Sequence, residues 1–222
     1  MSFKKNKYQV VKNVISKEMA ELCFNYLKIR EKAERKLSYY NISTKWFGTF
    51  NDPQVPNSYS IYGDYLMETL LIRTLPFIEK KISLKLVPTY AYTRLYKTGN
   101  ILHRHKDRLS CEISSTMNLG GDDWPIYISP KENIGLPEVD GGEKGITMAS
   151  KAKGIKVHLK PGDMLLYRGV ELEHWREPFK GKECGQVFFH YNNKNGPFKT
   201  KNLYDGREEL GLPAEYKYIK LC

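Results

Sequence analysis

The residues best suited to chemistry lie in one short run, Gly99-Asn100-Ile101-Leu102-His103-Arg104-His105-Lys106-Asp107-Arg108. On an extended backbone, residues i and i+2 project to the same side, so His105 and Asp107 would present an imidazole and a carboxylate together. A further histidine stands in Glu171-Leu172-Glu173-His174-Trp175-Arg176, with 66 residues between it and Asp107. That interval leaves room for several strands to return to one mouth. Two neutral imidazoles and one carboxylate form the facial ligand set of non-haem Fe(II), with coordination positions left open. His103 competes for the first place. At about 3.3 Å rise per residue it would stand roughly 13 Å from Asp107 on a straight strand, too far to share an ion. A site built on His103 and His105 would leave Asp107 idle and the ion without an anionic ligand. The expected triad is therefore His105, Asp107 and His174; the competing reading is a polar strand end that binds no metal.

The elements that must position these residues can be read from periodicity. Over 16–37, Met19, Leu22, Cys23, Tyr26 and Leu27 fall at helical spacing, and Ser16 suits the N-cap. A second helix is expected to begin near Asp64 and to carry Leu66, Met67, Leu70 and Leu71, with Pro76 interrupting it. Between the two, 51–60 holds two prolines and small polar residues and reads as a loop. From Leu84 the character changes. The runs 86–96, 111–119, 125–129, 155–159, 163–167 and 186–191 are rich in Val, Ile, Thr, Tyr and Phe and read as short strands. On the last of them one alternating set must face the barrel, and His190 is a candidate to line a cosubstrate pocket. Lys160-Pro161-Gly162-Asp163 is a turn. The stretch 131–150, with four glycines, reads as a long loop of the kind that carries function on a rigid β scaffold. Helices followed by about eight strands predict a mainly β, α+β chain: a jelly roll with helices packed on one sheet. The expected organisation is one domain, with helical support over 1–83, a β core over 84–192 and an extension over 193–222.

Composition narrows the class further. Of 222 residues, 41% are hydrophobic and 27% charged, which excludes a disordered or low-complexity chain. Sixteen tyrosines and three tryptophans suit a β-rich fold with a concave site; Trp124 and Trp175 are expected to be packing residues or pocket walls. No run approaches the roughly 18 apolar residues of a membrane span, and with no apolar stretch behind Met1-Ser2-Phe3-Lys4-Lys5 a secretory signal is not expected. Cys23, Cys111, Cys184 and Cys222 form no C-x-x-C pair and are expected to be reduced thiols of a cytoplasmic protein. The formal charge of +11, from 36 basic and 25 acidic residues, favours polyanions in general. The basic residues are spread along the chain, however, so a nucleic-acid partner has little support from sequence.

Several stretches together resemble a known family. They are Pro88-Thr89-Tyr90-Ala91-Tyr92-Thr93-Arg94-Leu95-Tyr96, then Gly99, His105-Lys106-Asp107-Arg108 and Cys111-Glu112-Ile113-Ser114. Trp124-Pro125-Ile126-Tyr127, Gly162-Asp163 and Tyr167-Arg168-Gly169 follow, running into His174-Trp175-Arg176-Glu177-Pro178. Their order resembles the Fe(II)- and 2-oxoglutarate-dependent dioxygenases of the prolyl-4-hydroxylase-like group, including small stand-alone bacterial and phage members. The resemblance spans about 85–192. It implies a double-stranded β-helix, cupin-like fold, with Fe(II) held by His105, Asp107 and His174. It also implies 2-oxoglutarate and O₂ as cosubstrates, ascorbate as a common reductant, and hydroxylation coupled to decarboxylation of 2-oxoglutarate. Peptidyl proline, free amino acids, nucleobases and small metabolites all fit such a site as substrates. A cupin-like barrel that binds without oxidising is the rival reading.

One family feature is missing. The group places an arginine or lysine nine or ten residues after the distal histidine to hold the far carboxylate of 2-oxoglutarate, and here those positions are Glu183 and Cys184. Three cations can replace it. Arg176 is the i+2 neighbour of His174 and points the same way on a strand, at about 6 to 7 Å. Lys182 lies one or two places early, and Arg94 shares a strand face with Tyr92 and Tyr96. Arg176 ranks first and Lys182 second. Tyr96, nine residues before His105, matches the family's tyrosine that hydrogen-bonds 2-oxoglutarate.

Overall fold

The computed structural model describes residues 3–42, 45–130 and 152–218. The long loop expected over 131–150 lies outside the described residues. Two antiparallel sheets face each other. Helices α1 (Phe3–Asn6), α2 (Lys17–Tyr39) and α3 (Tyr65–Ile82) precede most of the strands. The strands are β1 (Tyr8–Val11), β2 (Tyr59–Tyr62), β3 (Leu86–Lys97), β4 (Leu102–His105) and β5 (Ile113–Gly121), followed by β6 (Ile126–Ile128), β7 (Ile155–Val157), β8 (Met164–Arg168), β9 (His174–Arg176) and β10 (Glu183–Asn193). The major sheet runs β1-β8-β5-β10-β3-β2 and the minor sheet β4-β9-β6-β7. This is the expected jelly roll with helices on one sheet.

The helices start where side chains satisfy their first free amides. Ser16 Oγ accepts from Met19 N at 3.2 Å, and Asp64 Oδ1 accepts from Leu66 N and Met67 N at 3.0 and 3.2 Å. Asp64 Oδ2 also accepts from the Tyr26 hydroxyl at 2.6 Å, which joins the two long helices. Leu27, Met67, Leu71 and Ile78 then bury against the outward set of the major sheet, including Ala91, Leu95, Met117, Val187 and Phe189. Each such side chain contributes about 1.5 to 3 kcal/mol on burial.

Three expectations need correction. Pro76 lies inside α3 rather than ending it. It sits on the exposed side of the helix beside Ile72, itself 42% exposed, where water can take the carbonyl that loses its donor. The N-terminal region also supplies strands as well as helices. β1 pairs along the free edge of β8 and β2 along that of β3, covering edges that would otherwise invite pairing with another chain. The loop expected over 51–60 therefore ends one residue before β2. Finally, 111–119 opens on a 3-10 turn, Leu109–Cys111, before β5 begins. Among the described residues no helix is long and apolar enough to cross a membrane, and Cys23, Cys111 and Cys184 are buried free thiols.

Alternation on the two central strands decides what faces the space between the sheets. On β3 the inward set is Tyr90, Tyr92, Arg94 and Tyr96, and on β10 it includes Phe188 and His190. Ala91 and Leu95, with Val187, Phe189 and Tyr191, turn to the helices. Register places His190 opposite Tyr90, Phe188 opposite Tyr92, Gln186 opposite Arg94 and Cys184 opposite Tyr96.

Candidate metal centre

His105 is the last residue of β4 and His174 the first of β9, and the two strands pair at these residues. Asp107 lies past the end of β4, not on it. Its amide donates to Gly169 O at 2.9 Å, which turns its carboxylate back toward the histidines. Asp107 Oδ1 stands 3.6 Å from His105 Nε2 and 3.4 Å from His174 Nε2. One ligand atom from each residue falls within 4.8 Å of the others. Asp107 Oδ2 accepts from Ser114 Oγ at 2.5 Å, so the remaining oxygen faces the imidazoles. A Cβ at position 169 would collide with Asp107 Oδ2, Cys111 O and Ser114 Oγ; only glycine fits there.

The rings are set by their other nitrogens. His105 Nδ1 lies 2.7 Å from His103 O and His174 Nδ1 lies 3.1 Å from Leu172 O. A proton on each Nδ1, donated to the carbonyl, leaves each Nε2 lone pair for an ion. His103 contributes only its carbonyl, because its side chain is exposed. Burial would raise the Asp107 carboxyl, but His174 and His105 beside it outweigh that and hold it well below the usual carboxylate range. Burial, and then His174, push His105 down. Two imidazoles, each presenting its Nε2, and one ionised carboxylate converge, which fits a divalent ion of the Fe(II) type.

Beside the triad lies a cavity of about 320 Å³. Tyr96 is fully buried on its wall, and its hydroxyl accepts from Arg94 Nη1 at 3.4 Å. Arg176 points inward on the same face as His174, just beyond the residues that line the cavity. Its Nη1 donates to Trp124 O, its Nη2 to Thr116 Oγ1 at 3.3 Å, and its Nε has no partner. Burial lowers its pKa, with Cys184, Tyr96 and Tyr167 nearby. No carboxylate among the described residues lies within 4 Å of its guanidinium. Lys182 is exposed on the turn before β10 and does not line the cavity. Glu183 pairs with Lys28 and Lys97. Trp124 packs between Tyr96 and Phe179, whereas Trp175 turns away from the cavity and stacks on Tyr127.

Sequence reasoning missed Asp52, Gln54, Tyr62 and Asp205, and gave no role to Arg108. Asp52 and Gln54, from the stretch read as plain loop, reach the cavity: Asp52 pairs with Arg94, and Gln54 Nε2 lies 3.3 Å from His105 Nε2. Tyr62 and Arg108 line the mouth, backed by Asp205. The only available sign was the arginine directly after the aspartate ligand.

His190 does line the cavity. It is stacked on Tyr90 and its Nδ1 lies 3.1 Å from Ser114 Oγ. Burial depresses its pKa to about 4, so it is neutral in the fold. Below an ordinary histidine pKa of about 6.5 the unfolded chain binds a proton that the folded chain refuses, so stability falls as pH drops from about 6.5 toward 4. The expected contribution to the slope is about 1.4 kcal/mol per pH unit. Urea unfolding of the metal-free protein across this range should show that slope reduced by this amount in His190→Asn. Equal slopes would mean that His190 is not buried neutral.

No family model and no curated protein matches the sequence. Solved structures do match the fold. A prolyl-4-hydroxylase from Pseudomonas putida superposes with a TM-score of 0.55 at 12% identity, over 86% of this chain and 95% of that one. HygX from Streptomyces hygroscopicus, solved with nickel and 2-oxoglutarate bound, gives 0.55 at 15%, over 87% and 85%. SnoN, a non-haem α-ketoglutarate-dependent epimerase from nogalamycin biosynthesis, gives 0.56 at 15%, over 86% and 80%. These likenesses establish the architecture: the chain is a jelly roll of the fold that these 2-oxoglutarate-dependent enzymes share.

Proposed function

We propose that this chain is an Fe(II)- and 2-oxoglutarate-dependent oxygenase that acts as a hydroxylase. The observation that carries the reading is the convergence of His105 Nε2, Asp107 Oδ1 and His174 Nε2 near a buried arginine that has no carboxylate within 4 Å among the described residues. Fe(II) held by His105, Asp107 and His174 would supply, with 2-oxoglutarate and O₂ as cosubstrates, C–H oxidation coupled to decarboxylation to succinate.

The chain's own residues prepare that chemistry. The carbonyls of His103 and Leu172 orient the two imidazoles, and Ser114 orients the carboxylate. Tyr96 offers a hydroxyl at the inner end of the cavity, and Arg176 offers a charge that an incoming carboxylate would neutralise. Tyr167, Leu102 and Ile126 wall the space and keep bulk water from it. The ligands bound in HygX and the activities of the prolyl-4-hydroxylase and SnoN support the same assignment.

The test is anaerobic. Fe(II) added with 2-oxoglutarate should produce the weak visible charge-transfer band of the chelate, and neither alone should. Iron binding without that band would overturn the cosubstrate assignment; no iron binding would overturn the whole reading.

A further inference from the structure

The arginines around the cavity differ in one respect. Arg176, just beyond the lining residues, has no carboxylate within 4 Å among the described residues. The two arginines that line the cavity itself, Arg94 beside Tyr96 and Arg108, each have one. Arg94 Nη2 pairs with Asp52, and Arg108 holds Asp205 with both terminal nitrogens, at 2.8 and 2.6 Å. Lys106, the remaining cation on the wall, lies in the field of Glu173 and Glu171. Tyrosine rings fill the space between the ion pairs. Tyr62 and Tyr90 stack with centroids 4.9 Å apart, Arg108 covers Tyr90 at 4.7 Å, and Arg94 lies 5.2 Å from the Tyr92 ring.

Asp205 is placed there deliberately by the fold. It comes from the segment after β10 and is itself in a left-handed conformation (φ 58°), following Tyr204 (φ 49°). Such consecutive non-glycine residues persist only when their surroundings fix them. Here Arg207, buried against Glu68 and lying over Tyr62, pins the segment, and the Tyr62 hydroxyl donates to Asp205 Oδ2 at 2.7 Å.

We propose that Asp205 and Asp52 are specificity-determining positioning residues: by neutralising Arg108 and Arg94 they make the mouth accept an uncharged group held on tyrosine faces. This rests on the oxygenase reading for the identity of the substrate end. A carboxylate or ammonium entering this mouth loses its hydration and finds Arg108 and Arg94, or Asp205 and Asp52, already paired with each other. An uncharged ring or alkyl group loses little and gains contact with the Tyr90, Tyr62 and Tyr92 rings. The cavity is at the small end of ligand pockets and must also hold 2-oxoglutarate, so a small molecule or a single projecting group reaches the metal.

The test uses three probes of one size, benzamide, benzoate and benzylammonium, titrated by ligand-observed NMR into protein loaded with Ni(II) and 2-oxoglutarate. In the wild type, benzamide should bind saturably and both ions about ten-fold more weakly or worse. Asp205→Asn frees Arg108, and benzoate affinity should then rise about ten-fold while benzamide changes little. Asp205→Glu should restore the wild-type order. A merely structural role for Asp205 would lower all affinities together and would not create a preference for the anion. The proposal is overturned if benzoate matches benzamide in the wild type, if Asp205→Asn gains no benzoate affinity, or if benzamide fails to saturate. Should the Fe(II)–2-oxoglutarate band be absent, the oxygenase reading fails separately. The benzoate difference between wild type and Asp205→Asn still reports on Arg108, since Arg176 is the same in both.

Discussion

Asp107→Ala should lower Fe(II) affinity by on the order of 100-fold or more and abolish succinate release, with the fold retained. Changes to residues that merely orient ligands already cost about 10- to 100-fold in metal affinity, and Asp107 is the only anionic member of the triad. Its removal leaves two imidazoles with no anionic partner in the triad, and Ser114 loses the oxygen it holds. The fold should tolerate the change because Asp107 is anchored by its backbone amide to Gly169, an interaction that alanine keeps. His103→Ala is the matched control. Its exposed ring contributes nothing, and the carbonyl that orients His105 survives the substitution. Anaerobic titration calorimetry with Fe(II) and a succinate assay decide the matter. Iron loss in His103→Ala, with retention in Asp107→Ala, would show that the triad is misassigned.

Arg176→Met should have the second-largest effect, and in two directions at once. Without cosubstrate, Arg176 is a buried cation with no carboxylate within 4 Å among the described residues and an unpartnered Nε. Replacing such a group by an apolar side chain of similar length is often neutral or stabilising, so the melting temperature of the apoprotein should hold or rise. With 2-oxoglutarate present, the far carboxylate loses its partner. The expected cost is about 2 to 4 kcal/mol, or roughly 30- to 1,000-fold in 2-oxoglutarate affinity. Arg176→Lys should recover only part of it, because a point charge cannot reproduce the planar fork. Lys182→Ala, on an exposed turn, should change little. A large rise in the 2-oxoglutarate KM for Lys182→Ala, with none for Arg176→Met, would sink the assignment.

Much of this was legible in the sequence because it depends on period. Two-residue alternation put His105 and Asp107 on a common side, and the helical spacing of Met67, Leu70 and Leu71 marked the face of α3. The caps Ser16 and Asp64 fall where residue type places them. What was not legible depends on contacts distant in sequence. Asp52 meets Arg94 and Asp205 meets Arg108 across 42 and 97 positions, and neither acid lies in a periodic run. β1 and β2 are only four residues long and gain their identity from the edges they cover. Asp107 illustrates the intermediate case. Its role was readable from spacing, but its position beyond the strand was not, because a backbone bond to Gly169 does the placing.

The strand order has a consequence for how the chain reaches this structure. β10, the last strand in sequence, lies in the interior of the major sheet between β5 and β3. Until it arrives, β3 and β5 present two long unpaired edges that cannot be joined to each other in the native register. Pairings of such large sequence separation are slow to form and leave intermediates open to association with other chains. The nascent chain can build its long helices and the β2–β3 ribbon as it emerges. The major sheet closes only after residue 193 has cleared the ribosome.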